Sequence, residues 1–224
     1  MRDLWIVVPA YNEAEVLAAT LDQLHGVAGS VVVIDDGSTD QTAALAKAKG
    51  VLVVRHAINL GQGAALSTGL AFAVARGATH VCTFDADGQH DPRTIAELCD
   101  AVDECGADVG LASRFLGGAV AMSWMRKQVL RLAIVFTRLH TGLRITDTHN
   151  GLRLFTRSAA RRIEIRQPQM AHGSEILSQI AKLRLRYVEV PTVVTYTVYS
   201  RRKGQSLFDS VRIVFDLACE SLSR

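Results

Sequence analysis

HVCTFDADGQHDP, residues 80–92, begins as a short apolar run and breaks into acidic and turn-forming residues. Such a run, bounded by turn signals, reads as a strand buried on both faces, the kind found in parallel sheets. Three earlier runs share the pattern: LWIVV (4–8), SVVVID (30–35) and VLVVR (51–55). Between them lie helix candidates at about 13–25, 39–49, 62–76 and 92–105. Ser38 or Thr39 precedes one, Asp91-Pro92 opens another, and Gly50, Gly77 and Gly106 close three. Repeated strand–helix order predicts an α/β fold, with a mostly parallel central sheet flanked by helices and right-handed crossovers. ADVGLAS (107–113) adds one more strand.

After Arg114 the pattern changes. A basic amphipathic stretch covers 123–141, and ITDTHNG (145–151) carries turn chemistry. A strand RLF (153–155), a helix near 174–184 and a strand pair around 186–198 follow. SRRKGQS (200–206) reads as loop and 206–222 as a final amphipathic helix. With no repeat and no Pro/Gly/Ser linker, the 224 residues are expected to form one domain.

Composition excludes several classes. At 49% hydrophobic and 21% charged, the chain is neither disordered nor collagen-like. No apolar stretch approaches the roughly 18 residues of a spanning helix, since Arg76 and Arg131 interrupt the best candidates. The N-terminus has no signal-peptide pattern, so a cytoplasmic location is expected. Cys82, Cys99, Cys105 and Cys219 lack zinc-like spacing and read as reduced thiols. Charge is lopsided: residues 1–112 hold 6 Lys+Arg against 15 Asp+Glu, and residues 113–224 hold 19 against 7. The acidic half suits a cation, and the basic half suits phosphates or an anionic membrane surface.

In open α/β sheets, ligands bind beyond the carboxyl ends of the strands. PAYNE (9–13), DDGSTD (35–40) and DADGQH (85–90) all fall there. Parallel strands would gather Asp35, Asp36, Asp85 and Asp87 at one crevice, where they repel one another without a counter-cation. Mg²⁺ and Mn²⁺ accept one or two carboxylates and take their other ligands from water and phosphate. The crevice is therefore expected to hold a metal-bound diphosphate.

VPAYNE, VVVIDDGSTDQT, NLGQGAA (59–65), TFDADGQHDP and ASRF (112–115) stand in the order seen in family 2 glycosyltransferases of the GT-A fold, a Rossmann-like architecture. DTHNGLRLF (147–155) and YSRRKGQS (199–206) resemble the polyprenyl-phosphate branch, typified by dolichyl-phosphate mannosyltransferase. The resemblance implies a nucleotide-sugar donor bordered by Pro9, Tyr11, Glu13, Asp36, Gly63, Asp85 and Ala86. It implies a Mg²⁺ or Mn²⁺ site at Asp85, Asp87 and Gln89, with Asp87 nearest the ion. Arg114, Arg126, and Arg202 or Lys203 would hold phosphates of donor or acceptor. It divides the chain into a donor half (1–115) and a basic acceptor half (116–224). Two departures stand out: Gln62 replaces the Lys of many relatives' NxGKG pattern, and membrane-spanning C-terminal segments are lacking.

An ionised lipid-phosphate acceptor needs no base, whereas a sugar hydroxyl needs a carboxylate within reach. Glu175 in HGSE (172–175) is the candidate base for the hydroxyl alternative, and is otherwise a first-turn residue favoured by the helix dipole. Asp147 is expected either on the acceptor side or in turn chemistry, and His90 near the metal or acceptor. Trp124, Leu130, Ile134 and Phe136, interleaved with Arg126, Lys127, Arg131 and Arg138, predict a helix resting peripherally on a membrane. A small membrane-protein partner is expected to assist, and no nucleic-acid partner is expected. A haloacid-dehalogenase-type phosphatase would carry its AspXAsp motif on the first strand, a receiver domain is far shorter, and GQGAAL (61–66) lacks the full dinucleotide fingerprint. The remaining non-enzyme reading is a sugar-nucleotide-binding module without turnover.

Overall fold

The computed structural model describes residues 2–168, 171–197 and 199. Elements run β1 (Leu4–Ala10), α1 (Leu17–Leu24), β2 (Ser30–Asp35), α2 (Thr42–Ala48), β3 (Leu52–Arg55), α3 (Gln62–Ala75) and β4 (His80–Thr83). Then follow α4 (Arg93–Cys105), β5 (Val109–Val120), α5 (Trp124–Thr141), β6 (Arg153–Thr156), α6 (Arg157–Arg162), α7 (His172–Lys182) and β7 (Tyr187–Thr195). One seven-stranded sheet has the order β3-β2-β1-β4-β6-β5-β7. Only β6 runs against its neighbours, β4 and β5; every other pairing is parallel.

Strand alternation splits the core into two layers. From β1, Leu4, Ile6 and Val8 face Leu17, Leu21 and Leu24 of α1 and Ile95, Leu98 and Val102 of α4. Trp5 and Val7 face Leu70 and Ala73 of α3 and Ile176, Leu177 and Ile180 of α7. Each such buried side chain contributes roughly 1.5–3 kcal/mol against exposure. The continuous apolar runs of the sequence are what a sheet covered on both faces requires.

Several elements differ from expectation. Helices α1 and α2 begin late because their leading residues tie two loops together. Asn12 N–H donates to Ser38 Oγ, Glu13 N–H to Thr42 Oγ1 and Thr39 N–H to Asn12 Oδ1. The strand expected at 107–113 continues to Val120, crossing a register irregularity between Ser113 and Gly118. The expected strand pair at 186–198 is one strand, β7, because it pairs in parallel along β5 from Val109↔Tyr187 to Val120↔Thr195. Helix α6 was not expected; Thr156 caps it by accepting from the Ala159 N–H. The loop at 200–206 and the helix at 206–222 lie outside the described residues.

Candidate active site

The carboxyl ends of β1, β2 and β4 open into one cavity of about 570 Å³. Its walls include Pro9, Tyr11, Glu13, Asp36, Asp85, Ala86, Asp87 and Gln89. Three of the four expected carboxylates converge there. Asp35 does not: its side chain is fully buried, pairs with Arg55 Nε at 2.9 Å and accepts the Ser38 N–H. Adjacent strand residues point to opposite faces, so only one of the two aspartates can reach the crevice.

Asp36 is held by donors from one loop. It accepts the N–H groups of Leu60 (3.0 Å) and Gly61 (2.7 Å) and lies 2.7 Å from His56 Nδ1. His56 Nε2 in turn lies 2.9 Å from Thr68 Oγ1 on α3. Asp85 lies 3.2 Å from His90 Nε2 and accepts from Gln62 Nε2 at 3.1 Å. Burial opposes its ionisation, but the His90 hydrogen bond and the nearby His172 and Arg153 outweigh it and hold the carboxyl below its ordinary range. Asp87 has the opposite balance: burial, then the Asp85 charge, push it up to about 6. Gly151 is obligatory here, since a Cβ at that position would collide with the Asp85 carboxylate.

These residues fit a hard dication. Two like-charged carboxylates two positions apart in a turn, one of them pushed up by the other, gain from a shared positive charge. Among the described residues no group of three or more His, Cys, Asp or Glu side chains is placed to enclose an ion. Water and phosphate oxygens would have to complete the shell, which suits Mg²⁺ or Mn²⁺.

The cationic part of the lining arises from the second half of the chain. Arg114, on β5, is almost wholly buried. Its Nε donates to Asp147 Oδ2 (2.6 Å), its Nη1 to Tyr196 Oη (2.8 Å) and its Nη2 to the His149 carbonyl (2.5 Å). Arg126, on the first turn of α5, lies over the Tyr196 ring, 4.8 Å from its centroid. Arg153, on β6, donates to the carbonyls of Asn150, Thr148 and Gly173, and burial lowers its pKa to about 10. All three arginines line the cavity.

Some sequence expectations fall elsewhere. Gly63 is not in the cavity wall; its N–H donates to the Pro168 carbonyl and a Cβ would strike the Gln167 carbonyl. Its role is close packing of α3 against that segment. Glu175 does not line the cavity either. Its carboxylate accepts the N–H groups of Arg166 and Gln167, so it anchors the segment before α7. Asp147 is buried behind the wall, where it holds Arg114. Arg202 and Lys203 lie outside the described residues. On α5, Leu130 and Ile134 pack inward, while Trp124, Leu132 and Leu139 are 73%, 67% and 82% exposed. Sequence reading missed Tyr196, Arg153, His56 and His172 as site residues. Of these, Arg153 alone had a signal, as a charged residue opening a buried strand directly after a turn.

An acidic pair at strand ends and three arginines share one cavity, a lining suited to phosphate-bearing ligands. The model of the family described as glycosyl transferase family 2 matches residues 5–164, and the chain belongs to that family. It is 30% identical to a UDP-N-acetylglucosamine–dolichyl-phosphate N-acetylglucosaminyltransferase of Methanococcus voltae, across 96% of this chain and 94% of that protein. It is also 30% identical to an undecaprenyl-phosphate mannosyltransferase of Micrococcus luteus, across 89% of this chain and 85% of that one. In fold it is similar to glucosyl-3-phosphoglycerate synthase of Mycobacterium tuberculosis, solved with Mn²⁺ and UDP-glucose. That match has a TM-score of 0.74 and 19% identity, and covers 99% of this chain and 78% of that one. The protein is a glycosyltransferase with the GT-A fold.

Proposed function

We propose that this enzyme moves a hexose from a UDP- or GDP-sugar to a polyprenyl phosphate, with inversion and with Mg²⁺ or Mn²⁺, at the cytoplasmic face of a membrane. The reading rests on one observation: a single cavity is lined both by acidic side chains (Glu13, Asp36, Asp85, Asp87) and by basic ones (Arg114, Arg126, Arg153). Residues 1–115 hold the donor and 116–224 the acceptor, with Arg114 at the boundary contributing to the acceptor side. The names of the two curated relatives, both lipid-phosphate sugar transferases, support the acceptor class.

Asp85, Asp87 and Gln89 would hold the ion, which when bound stabilises charge on a departing diphosphate. Pro9, Tyr11, Glu13 and Asp36 border the nucleoside. In the transfer, an ionised acceptor oxygen forms a bond to the anomeric carbon as the bond to the donor diphosphate breaks. The nucleoside diphosphate leaves with the electron pair, and no proton moves. The arginines contribute by bringing two anions together and fixing the acceptor in line. A hydroxyl acceptor would need a base. Glu175 does not line the cavity and accepts two backbone N–H groups, so nothing favours that alternative.

Helix α5 supports peripheral attachment. Trp124, Met125, Leu132, Val135 and Leu139 form an exposed arc roughly 100° wide, with Lys127, Arg131 and Arg138 along one edge. Among the described residues no helix is long and apolar enough to cross a membrane. A small membrane-protein partner would then strengthen a weak surface attachment.

The deciding experiment incubates the protein with radiolabelled UDP- and GDP-hexoses, Mn²⁺ and undecaprenyl phosphate in vesicles. Label should enter the lipid phase in proportion to enzyme. Nucleotide binding without any lipid product would leave only a binding module. Vesicles of neutral and anionic lipid, compared by sedimentation, test the surface: equal binding to both removes the attachment by α5.

A further inference from the structure

We infer that Tyr196 is the positioning residue of the basic wall, seating both Arg114 and Arg126 through different parts of one side chain. The inference rests on the reading that this wall receives the acceptor phosphate.

Tyr196 follows β7 directly, is nearly fully buried and lines the cavity. Its hydroxyl accepts from Arg114 Nη1 at 2.8 Å, while its ring lies under the Arg126 guanidinium. A guanidinium held over an aromatic face keeps its N–H donors available, so the ring holds Arg126 in place without consuming a donor. Arg114 is different: each of its three nitrogens donates to a protein acceptor, and Tyr196 supplies the one that comes from β7. The tyrosine thereby unites cations from β5 and from α5.

The segment carrying it is also bound to the acidic wall. Thr195 N–H donates to the Gln89 carbonyl, Val194 bridges His90, and Tyr196 N–H donates to the Val120 carbonyl. Tyr199, three residues on, donates to Glu13 Oε2 at 2.6 Å. Tyr196 thus sets the arginines at a fixed offset from the acidic loop, which is what in-line transfer between two anions needs.

The test separates ring from hydroxyl. Citronellyl phosphate serves as a short acceptor probe and UDP with Mn²⁺ as a donor-side probe, both by calorimetry; turnover uses undecaprenyl phosphate. Tyr196→Leu should weaken citronellyl phosphate about tenfold and leave UDP within twofold. Tyr196→Phe keeps the ring, so probe affinity should stay within twofold while kcat falls about tenfold through a loosened Arg114. Arg126→Gln should weaken the probe as much as Tyr196→Leu, and the double variant no further, because both remove one interaction. If Arg126→Gln weakens the probe and Tyr196→Leu does not, the positioning role is overturned and the acceptor reading stands. If Arg126→Gln leaves the probe unaffected, the acceptor reading itself fails. Should Tyr196→Leu not fold, Tyr196→Phe decides: wild-type kcat overturns the inference, and reduced kcat at unchanged probe affinity supports it.

Discussion

The two walls of the cavity are built by different means. The acidic wall hangs from the ends of three parallel strands, and each carboxylate follows its strand by one to four residues. The basic wall is assembled from β5, α5 and β6 by side-chain contacts, those of Arg114 reaching across 33 to 82 residues of chain. A wall made from strand ends inherits its geometry from the sheet, and its carboxylates are then oriented by short-range donors such as the Leu60 and Gly61 N–H groups on Asp36. A wall made from buried arginines must first satisfy those arginines, so the same groups carry both stability and function.

Two carboxylate deletions break this contrast in opposite directions. Asp87→Ala should cost at least about a thousandfold in turnover, the scale expected when transition-state charge loses its partner. It should leave the metal-free melting temperature unchanged or higher, because it removes a buried charge crowded by Asp85. Asp147→Ala should do the reverse in order of cause. It strands the buried Arg114 guanidinium, and such losses typically cost about 3–5 kcal/mol of stability. Denaturant melts and initial rates on the same two variants check both halves. Equal destabilisation by the two would erase the distinction.

A pH titration reads both walls, since Asp87, raised to about 6, gains stability over the range in which His149 loses it. Burial lowers the His149 pKa to about 4, against an ordinary value near 6.5. Between these values the unfolded chain takes up a proton that the folded one refuses. Stability from this group is therefore complete above pH 6.5 and is lost as pH falls toward 4. With the ring half-buried, the loss should be about 1–3 kcal/mol. His149→Gln should remove that contribution from the pH–stability curve; an unchanged slope would assign the dependence to other groups.

The contrast also explains what the sequence disclosed. β1 to β4 and the acidic loops are local patterns, a β-branched run followed by Asp, Gly and Ser, and their position at the ligand edge follows from parallel order. The acidic wall was therefore legible almost to the residue. Asp35 was misplaced there by overlooking strand alternation at the Asp35-Asp36 pair, and Gly63 because a glycine opening a helix reads alike whether it borders a ligand or packs against a neighbouring segment. In the second half the strand at 153–155 was legible, but its antiparallel pairing was not, and α6, six residues long, is too short for periodicity to register. Tyr196 was invisible because its two partners lie 82 and 70 positions away, and nothing in VTYTV distinguishes a site residue from an ordinary strand end. Glu175 misled because a first-turn glutamate reads alike whether it faces a substrate or the backbone behind it.

Gln62 is where the acidic wall admits its smallest useful change. The side chain donates to Asp85 Oδ1 at 3.1 Å. Gln62→Lys would replace a neutral donor with a cation at the same carboxylate. An ammonium beside Asp85 competes with a divalent ion for that oxygen, yet also offers a charge to a diphosphate entering without metal. UDP affinity in EDTA should therefore rise, affinity in Mn²⁺ should hold or fall slightly, and the ratio of the two should shrink by roughly three- to tenfold. The partly buried position keeps the effect above that of a surface pair, and the charge already offered to Asp85 by His90 and Arg153 keeps it small. A ratio that does not move would mean that Asp85 is satisfied by its protein donors and that Asp87 alone answers to the metal.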